Sequence, residues 1–215
     1  MKLLSKSLNC VLVLAPHADD GEFGCGATIA KLRSMGINVK YIAFSAAEDS
    51  VPEGLPRDIL RQEVMKATHI LGLDAADVSV LKYPVRRFPF HRQEILEDMI
   101  RLKREFDPNL VLCPSPDDIH QDHRVIAEEA IRAFKHRTIV GYEMPWNNLS
   151  ISLSCFAALN EEEINKKVAA LDCYVSQKSR NYASPEFIYG LARVRGTQIG
   201  SEFAEAFNVI RLVIE

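Results

Sequence analysis

The feature that most limits the fold is an alternation of short apolar runs with helix-length segments, sustained from residue 9 to residue 142. "NCVLVLA", residues 9 to 15, is an apolar run ended by Pro16, and a run without polar alternation predicts a strand buried on both faces. Further strands are expected at Val39–Phe44, Val78–Tyr83, Leu110–Cys113 and Thr138–Tyr142. Between them, helices are expected at Gly24–Met35, Pro56–Leu71, Arg92–Phe106 and His123–Phe134, several closed by Gly or Asp-Pro. Strand–helix alternation of this kind predicts a parallel sheet with helices on both faces, and right-handed crossovers make it doubly wound and Rossmann-like, in the usual 3-2-1-4-5 order.

Beyond "MPWNN" the pattern loosens. Glu161–Tyr174 reads as a helix, "SPEFIYGLARVRGTQIGSEF" as short strands broken by glycine turns, and Asn208–Ile214 as a closing strand. Neither a linker nor a low-complexity segment interrupts the 215 residues. One domain is expected, with 143–215 as a mixed α/β extension packed on a 1–142 core.

In such sheets ligands bind outside the carboxyl ends of the strands, where strand order reverses. Two chemically dense loops fall there. After the first strand the chain reads "PHADDGEFGCG", and after the fourth "CPSPDDIHQDHR". Hydrolytic zinc is commonly held by three nitrogen or oxygen ligands with one position open, and His17, Asp20 and His123 are of the right types. Adjacent residues leaving a strand point in different directions. One of Asp19 and Asp20 can therefore bind metal while the other handles protons. His120 and His123, spaced i, i+3, can share one side of a helical turn, one ligating and the other facing substrate.

"PHADDGEFGCGATIAKL" together with "DDIHQDHR" resembles the paired signatures of the LmbE-like, or PIG-L, family of zinc-dependent de-N-acetylases, a likeness that continues through "RQEVMKATHILGL" and "RGTQIGSEFAEAF". The resemblance implies that His17, Asp20 and His123 hold Zn2+, or another divalent ion such as Fe2+, and that Asp19 is the general base. It implies that His120 assists at the carbonyl oxygen, with Asp122 orienting it, and that substrate contacts come from the region of Arg57 or Arg61. Ala18 stands where the family usually has proline, and the acid after the aspartate pair is Glu22, with an outer or helix-terminal role. Trp146 and Tyr142 can wall a sugar ring. Family members are often oligomeric, which makes a homo-oligomer an expectation.

Taken singly, these residues have plainer readings: Asp19-Asp20 as a turn and helix cap, Arg57 or Arg61 in a surface ion pair, His69, His91 and His136 as surface residues. "GCGATI" lacks the third glycine of a dinucleotide fingerprint. The net charge of −3 without like-charge blocks argues against nucleic acid and a polybasic membrane patch. No stretch approaches the ~20 apolar residues that span a bilayer. The amino terminus does not read as a signal peptide, and five scattered cysteines read as reduced thiols, so the expected location is the cytoplasm. Three functions follow: a zinc-dependent deacetylase of an N-acetylated sugar or glycoconjugate, an amidase of the same mechanism on another N-acyl substrate, or a non-catalytic ligand-binding module.

Overall fold

A computed structural model describes residues 8–178 and 180–214. Its strands are β1 (Cys10–His17), β2 (Asn38–Ser45), β3 (Val78–Val80), β4 (Leu110–Pro114), β5 (Thr138–Tyr142), β6 (Cys155–Leu159) and β7 (Phe203–Arg211). The α-helices are α1 (Asp20–Ser34), α2 (Ile59–Ile70), α3 (Arg92–Phe106), α4 (Gln121–Ala133), α5 (Glu161–Asp172) and α6 (Pro185–Thr197). Residues 1–7, read above against a targeting signal, lie outside the described residues.

The strands form one sheet in the order β3-β2-β1-β4-β5-β7-β6. The first five are parallel, as expected, and the order reverses between β1 and β4. β1 is buried along its whole length because both its faces are covered. Val11, Val13 and Ala15 pack under α1, α2 and α5; Leu12 and Leu14 pack against α3 and α4. Period-two alternation thus exists in the strand, but both phases are apolar, which is why the run reads as continuous.

The carboxy-terminal part departs from the sequence reading. β7 pairs antiparallel with β5 and β6, so residues 143–214 extend the sheet as well as packing on it. β6 was not expected: it is a half-exposed edge strand of five residues, Cys-Phe-Ala-Ala-Leu, whose short, alanine-containing run is a weak strand signal. "SPEFIYGLARVRGT" is a helix rather than strands and turns. Ser184 caps it through Phe187 N–H, Pro185 takes the first position, and Gly196 sits where a Cβ would lie 2.7 Å from the carbonyl oxygens of Ser201 and Glu202. That glycine answers a close approach, not a break. The closing strand is Phe203–Arg211 instead of 208–214.

At the other end, β1 continues through Pro16 to His17 and α1 begins at Asp20, four residues before the expected start. The first turn of α1 escapes a periodicity reading because nearly every side of this helix is buried, including Asp20 and Glu22. Gly21 and Gly24 therefore lie inside the helix. A Cβ at Gly21 would meet the Tyr41 ring at 2.4 Å and one at Gly24 the Tyr142 ring at 2.3 Å.

Candidate metal centre and substrate cavity

β1 delivers His17 as its last residue, and the chain turns through Ala18 and Asp19 into α1. The carboxylate of Asp20 accepts the His17 N–H at 2.8 Å, which folds it back over the imidazole. Asp19 stands at the helix N-cap, yet its side chain makes no capping bond. It lines the cavity instead. On the neighbouring strand end, Asp118 Oδ1 accepts the His120 N–H at 2.8 Å, and His120 caps α4 by accepting the Asp122 N–H at Nδ1, 3.2 Å. With Nδ1 accepting, a neutral His120 carries its proton on Nε2.

These turns bring three ligand atoms to one point. His17 Nδ1 lies 3.0 Å from Asp20 Oδ2, His123 Nε2 lies 3.2 Å from the same oxygen, and the two nitrogens are 3.4 Å apart. A tetrahedral zinc with bonds of about 2.0–2.1 Å requires ligand atoms roughly 3.3–3.4 Å from one another. The outer ring nitrogens are taken. His17 Nε2 meets Asp122 Oδ2 at 3.0 Å and His123 Nδ1 meets Asp118 Oδ2 at 2.7 Å. Carboxylates only accept, so each ring keeps a proton on its outer nitrogen; the inner nitrogens hold a further proton against Asp20 or, with a metal ion between them, offer it their lone pairs. The donor set fits a divalent cation.

A second grouping, His17, His120 and Asp122, also converges. Its carboxylate, however, is already engaged by His17, by Arg86 N–H at 2.6 Å and by Phe88 N–H at 3.2 Å. The sequence reading gave Asp122 to His120. Its side chain instead orients His17, because the first turn of α4 faces β1 and the 86–88 amides, and only its backbone N–H reaches His120.

The electrostatics separate the two adjacent aspartates. Burial, reinforced by the charge of Asp20, pushes the Asp19 carboxyl up to about 6, with Arg180 opposing. Burial would also raise Asp20, but His123 and His17 outweigh it and hold it well below the carboxylate range. Burial works against a proton on His123, yet Asp20 and Asp118 lift it to about 10. The space between the rings is strongly attractive to positive charge. His120, by contrast, is pushed down to about 4 by burial and by repulsion from His123 and His17.

Two further clusters hold the start of α1. Glu22, fully buried and pushed up to about 8 by that burial, meets the Tyr41 hydroxyl at 2.5 Å and the Tyr174 hydroxyl at 2.9 Å. Both tyrosines also reach the Ala18 carbonyl, at 3.0 and 2.7 Å. They pin the loop between His17 and Asp20. α1 itself is broken at Cys25 (φ −149°, ψ 24°). Across the break, Lys167 Nζ donates to Phe23 O at 2.6 Å and pairs with Glu205 at 2.6 Å. Glu205 in turn accepts Ala27 N–H at 3.2 Å and Thr28 N–H at 2.7 Å, acting as a helix cap supplied from β7.

The three candidate ligands open into a cavity of about 200 Å³ lined by Asp19, His120, Phe23, Trp146, Arg86, Arg180 and Tyr182, among others. Trp146 stacks on Tyr182 at 3.9 Å, and Phe23 meets both edge-on, so the three form an aromatic wall of the cavity. Tyr142 is not part of it: it is fully buried and donates to Leu14 O. Arg57 lies outside this cavity, exposed and paired with Asp49 at 2.7 Å. Arg61 lines an adjoining cavity of about 380 Å³ and is held by Val80 O at 2.9 Å and by Glu48. Sequence reasoning missed Asp118, Arg86, Arg180 and Tyr182. For Asp118 the signal was the "PDD" preceding the histidines; the others carry no motif.

The family model "PIG-L: GlcNAc-PI de-N-acetylase" matches residues 12–134. An "Uncharacterized deacetylase YaiS" of Escherichia coli (strain K12) is 28% identical over 75% of this chain and 88% of its own. A "Diacetylchitobiose deacetylase" of Thermococcus kodakarensis is 30% identical over 53% of this chain and 45% of its own. Among solved structures, the N,N'-diacetylchitobiose deacetylase from Pyrococcus horikoshii superimposes with a TM-score of 0.81, covering 98% of this chain and 86% of that one at 22% identity. At that identity the likeness speaks for the fold.

Proposed function

The chain belongs to the PIG-L family, GlcNAc-PI de-N-acetylase, and on that premise we propose that it is a metal-dependent hydrolase removing the acetyl group from an N-acetylated amino sugar or glycoconjugate. The observation that carries the proposal is the convergence of His17 Nδ1, Asp20 Oδ2 and His123 Nε2 within 3.0–3.4 Å of one another, beside a cavity that also holds Asp19 and His120. His17, Asp20 and His123 would hold the cation, with zinc first and Fe2+ as the alternative. Such an ion supplies positive charge that polarises an amide carbonyl and eases removal of a proton from water.

The chain's own residues do the rest. Asp19, uncommitted to a helix cap, takes a proton from the attacking water as the new C–O bond forms at the acyl carbon. The C–N bond then breaks and the same carboxyl returns the proton to the departing nitrogen, leaving acetate and a free amine. His120, neutral and with its Nε2 proton free, donates to the oxyanion. One such donor is worth about 2.7–4 kcal/mol in a well-studied protease. Asp118 and Asp122 fix the orientation of the two ligand imidazoles.

The aromatic wall of Phe23, Trp146 and Tyr182 suits the apolar face of a sugar ring, and relatives named for diacetylchitobiose and for N-acetyl-alpha-D-glucosaminyl L-malate support a sugar over another N-acyl amine. The five cysteines are free thiols, which supports a cytoplasmic location, and no described helix is long and apolar enough to cross a membrane. The test is an acetate-release screen over N-acetylglucosamine derivatives, with metal content measured on the same sample. Acetate release from at least one, by protein holding about one metal per chain, is expected; Asp19→Ala should keep the metal and lose most turnover. Full activity in that variant removes Asp19 from the mechanism.

A further inference from the structure

We infer that the substrate carries an anionic group, a carboxylate or a phosphate, and that Arg86 and Arg180 receive it inside the metal-site cavity. This rests on the de-N-acetylase reading and narrows it to a substrate class.

The first ground is which arginines are uncommitted. Of the arginines after β2, Arg57 is paired with Asp49 and Arg61 with Glu48. Arg86 and Arg180 line the metal-site cavity itself, and among the described residues neither is within ion-pair distance of a carboxylate. Arg180 bonds only the neutral Tyr182 hydroxyl and lies 5.6 Å over that ring. An arginine so placed keeps most of its donors for a ligand.

The second ground is how Arg86 is held. It is a non-glycine residue in the left-handed region, φ 66°, a conformation that costs about 1–2 kcal/mol and is retained where surrounding structure enforces it. The enforcing contact is its N–H donated at 2.6 Å to Asp122 Oδ2, the same oxygen that orients His17. One carboxylate thus sets both a metal ligand and the backbone carrying the guanidinium. Arg180 is tied to the aromatic wall through Tyr182 and Trp146.

The third ground is accessibility. Arg86 and Arg180 are both exposed while lining the cavity, so an anionic group entering from solvent meets both guanidiniums, whose planar forks favour a carboxylate or a phosphate.

Binding of three probes to the metal-loaded protein by calorimetry tests this: N-acetylglucosamine 1-phosphate, N-acetylmuramic acid as the carboxylate, and neutral N-acetylglucosamine. At least one charged probe should bind about tenfold or more tightly than the neutral one, and the tighter of the two identifies the anion. R86Q and R180Q should each reduce that advantage about tenfold, and added salt should weaken it. Equal binding of all three probes overturns the inference, as does an advantage that survives in both variants, which would belong to the metal alone. Acetate release on the same samples separates the two readings. If neutral and charged probes are hydrolysed and bound alike, de-N-acetylation stands and the anion site falls. If none is hydrolysed, the enzymatic reading fails and the binding comparison still decides the anion site.

Discussion

Two of the buried polar clusters on helix α1, the candidate ligands at its start and the Lys167–Glu205 pair at its break, are built in opposite ways. At the break, Lys167 and Glu205 neutralise each other and take up Phe23 O, Ala27 N–H and Thr28 N–H; each group named is matched by its complement. At the start, Asp118 and Asp122 satisfy the outer nitrogens of His123 and His17 and leave the inner nitrogens facing Asp20, three potential ligand atoms bridged by a proton or a metal ion. The first arrangement is a closed structural joint. The second gathers potential ligand atoms at one point that positive charge must bridge, which is the arrangement a metal site needs. Buried charge alone does not mark function; what the partners leave unmatched does.

The largest effect that tests this contrast is expected at the joint. Lys167→Met should destabilise the protein by about 3–5 kcal/mol, because it strands the Glu205 charge in the interior and the Phe23 carbonyl without a donor. Denaturant unfolding measures it, and a loss below about 1 kcal/mol would make the pair incidental to the broken helix. Next, Asp118→Asn should weaken metal binding about 10–100-fold with little change in unfolding midpoint of the metal-free protein, read by competition with a chelator. Unchanged affinity would remove Asp118 from the site.

The smallest effect concerns Glu22, which belongs to neither cluster but pins the loop before α1. Its carboxyl is lifted from 4.5 to about 8 by burial, against hydrogen bonds from Tyr41 and Tyr174. A folded-state value above the unfolded one means the neutral acid stabilises the fold. That contribution is complete below the unfolded value and is lost as pH rises through about 8. Glu22→Gln stays neutral throughout. Near pH 5 it should lie within about 1 kcal/mol of the parent, and its urea midpoint should hold flat towards pH 8 where the parent's falls. A parent whose stability rises over that range contradicts the assignment.

Much of this was legible in the sequence, for identifiable reasons. The parallel half of the sheet follows from local patterns, and α3 and β5 match their expected bounds. Its switch point places "PHADD" beside "HQDH" without any knowledge of side chains. The start of α1 was hidden because a helix buried on all sides has no stripe. β6 and α6 were hidden because a five-residue run with two alanines is a weak strand signal and a glycine serving close packing looks like a breaker. Lys167 and Glu205 reach residues 23–28 from far along the chain, and long-range partnership leaves no local spacing. The arginines were sought at 57 and 61, after the second strand; those two are held by Asp49 and by Glu48 with the Val80 carbonyl, and the arginines lining the metal-site cavity are 86 and 180.

The most direct test of the central claim is to strip the protein with a chelator and titrate zinc back while following acetate release from an N-acetylglucosamine derivative. The account predicts no release from the stripped chain and a linear return that levels off at about one zinc per chain, with His123→Ala showing neither. Release that is the same before and after stripping would contradict it.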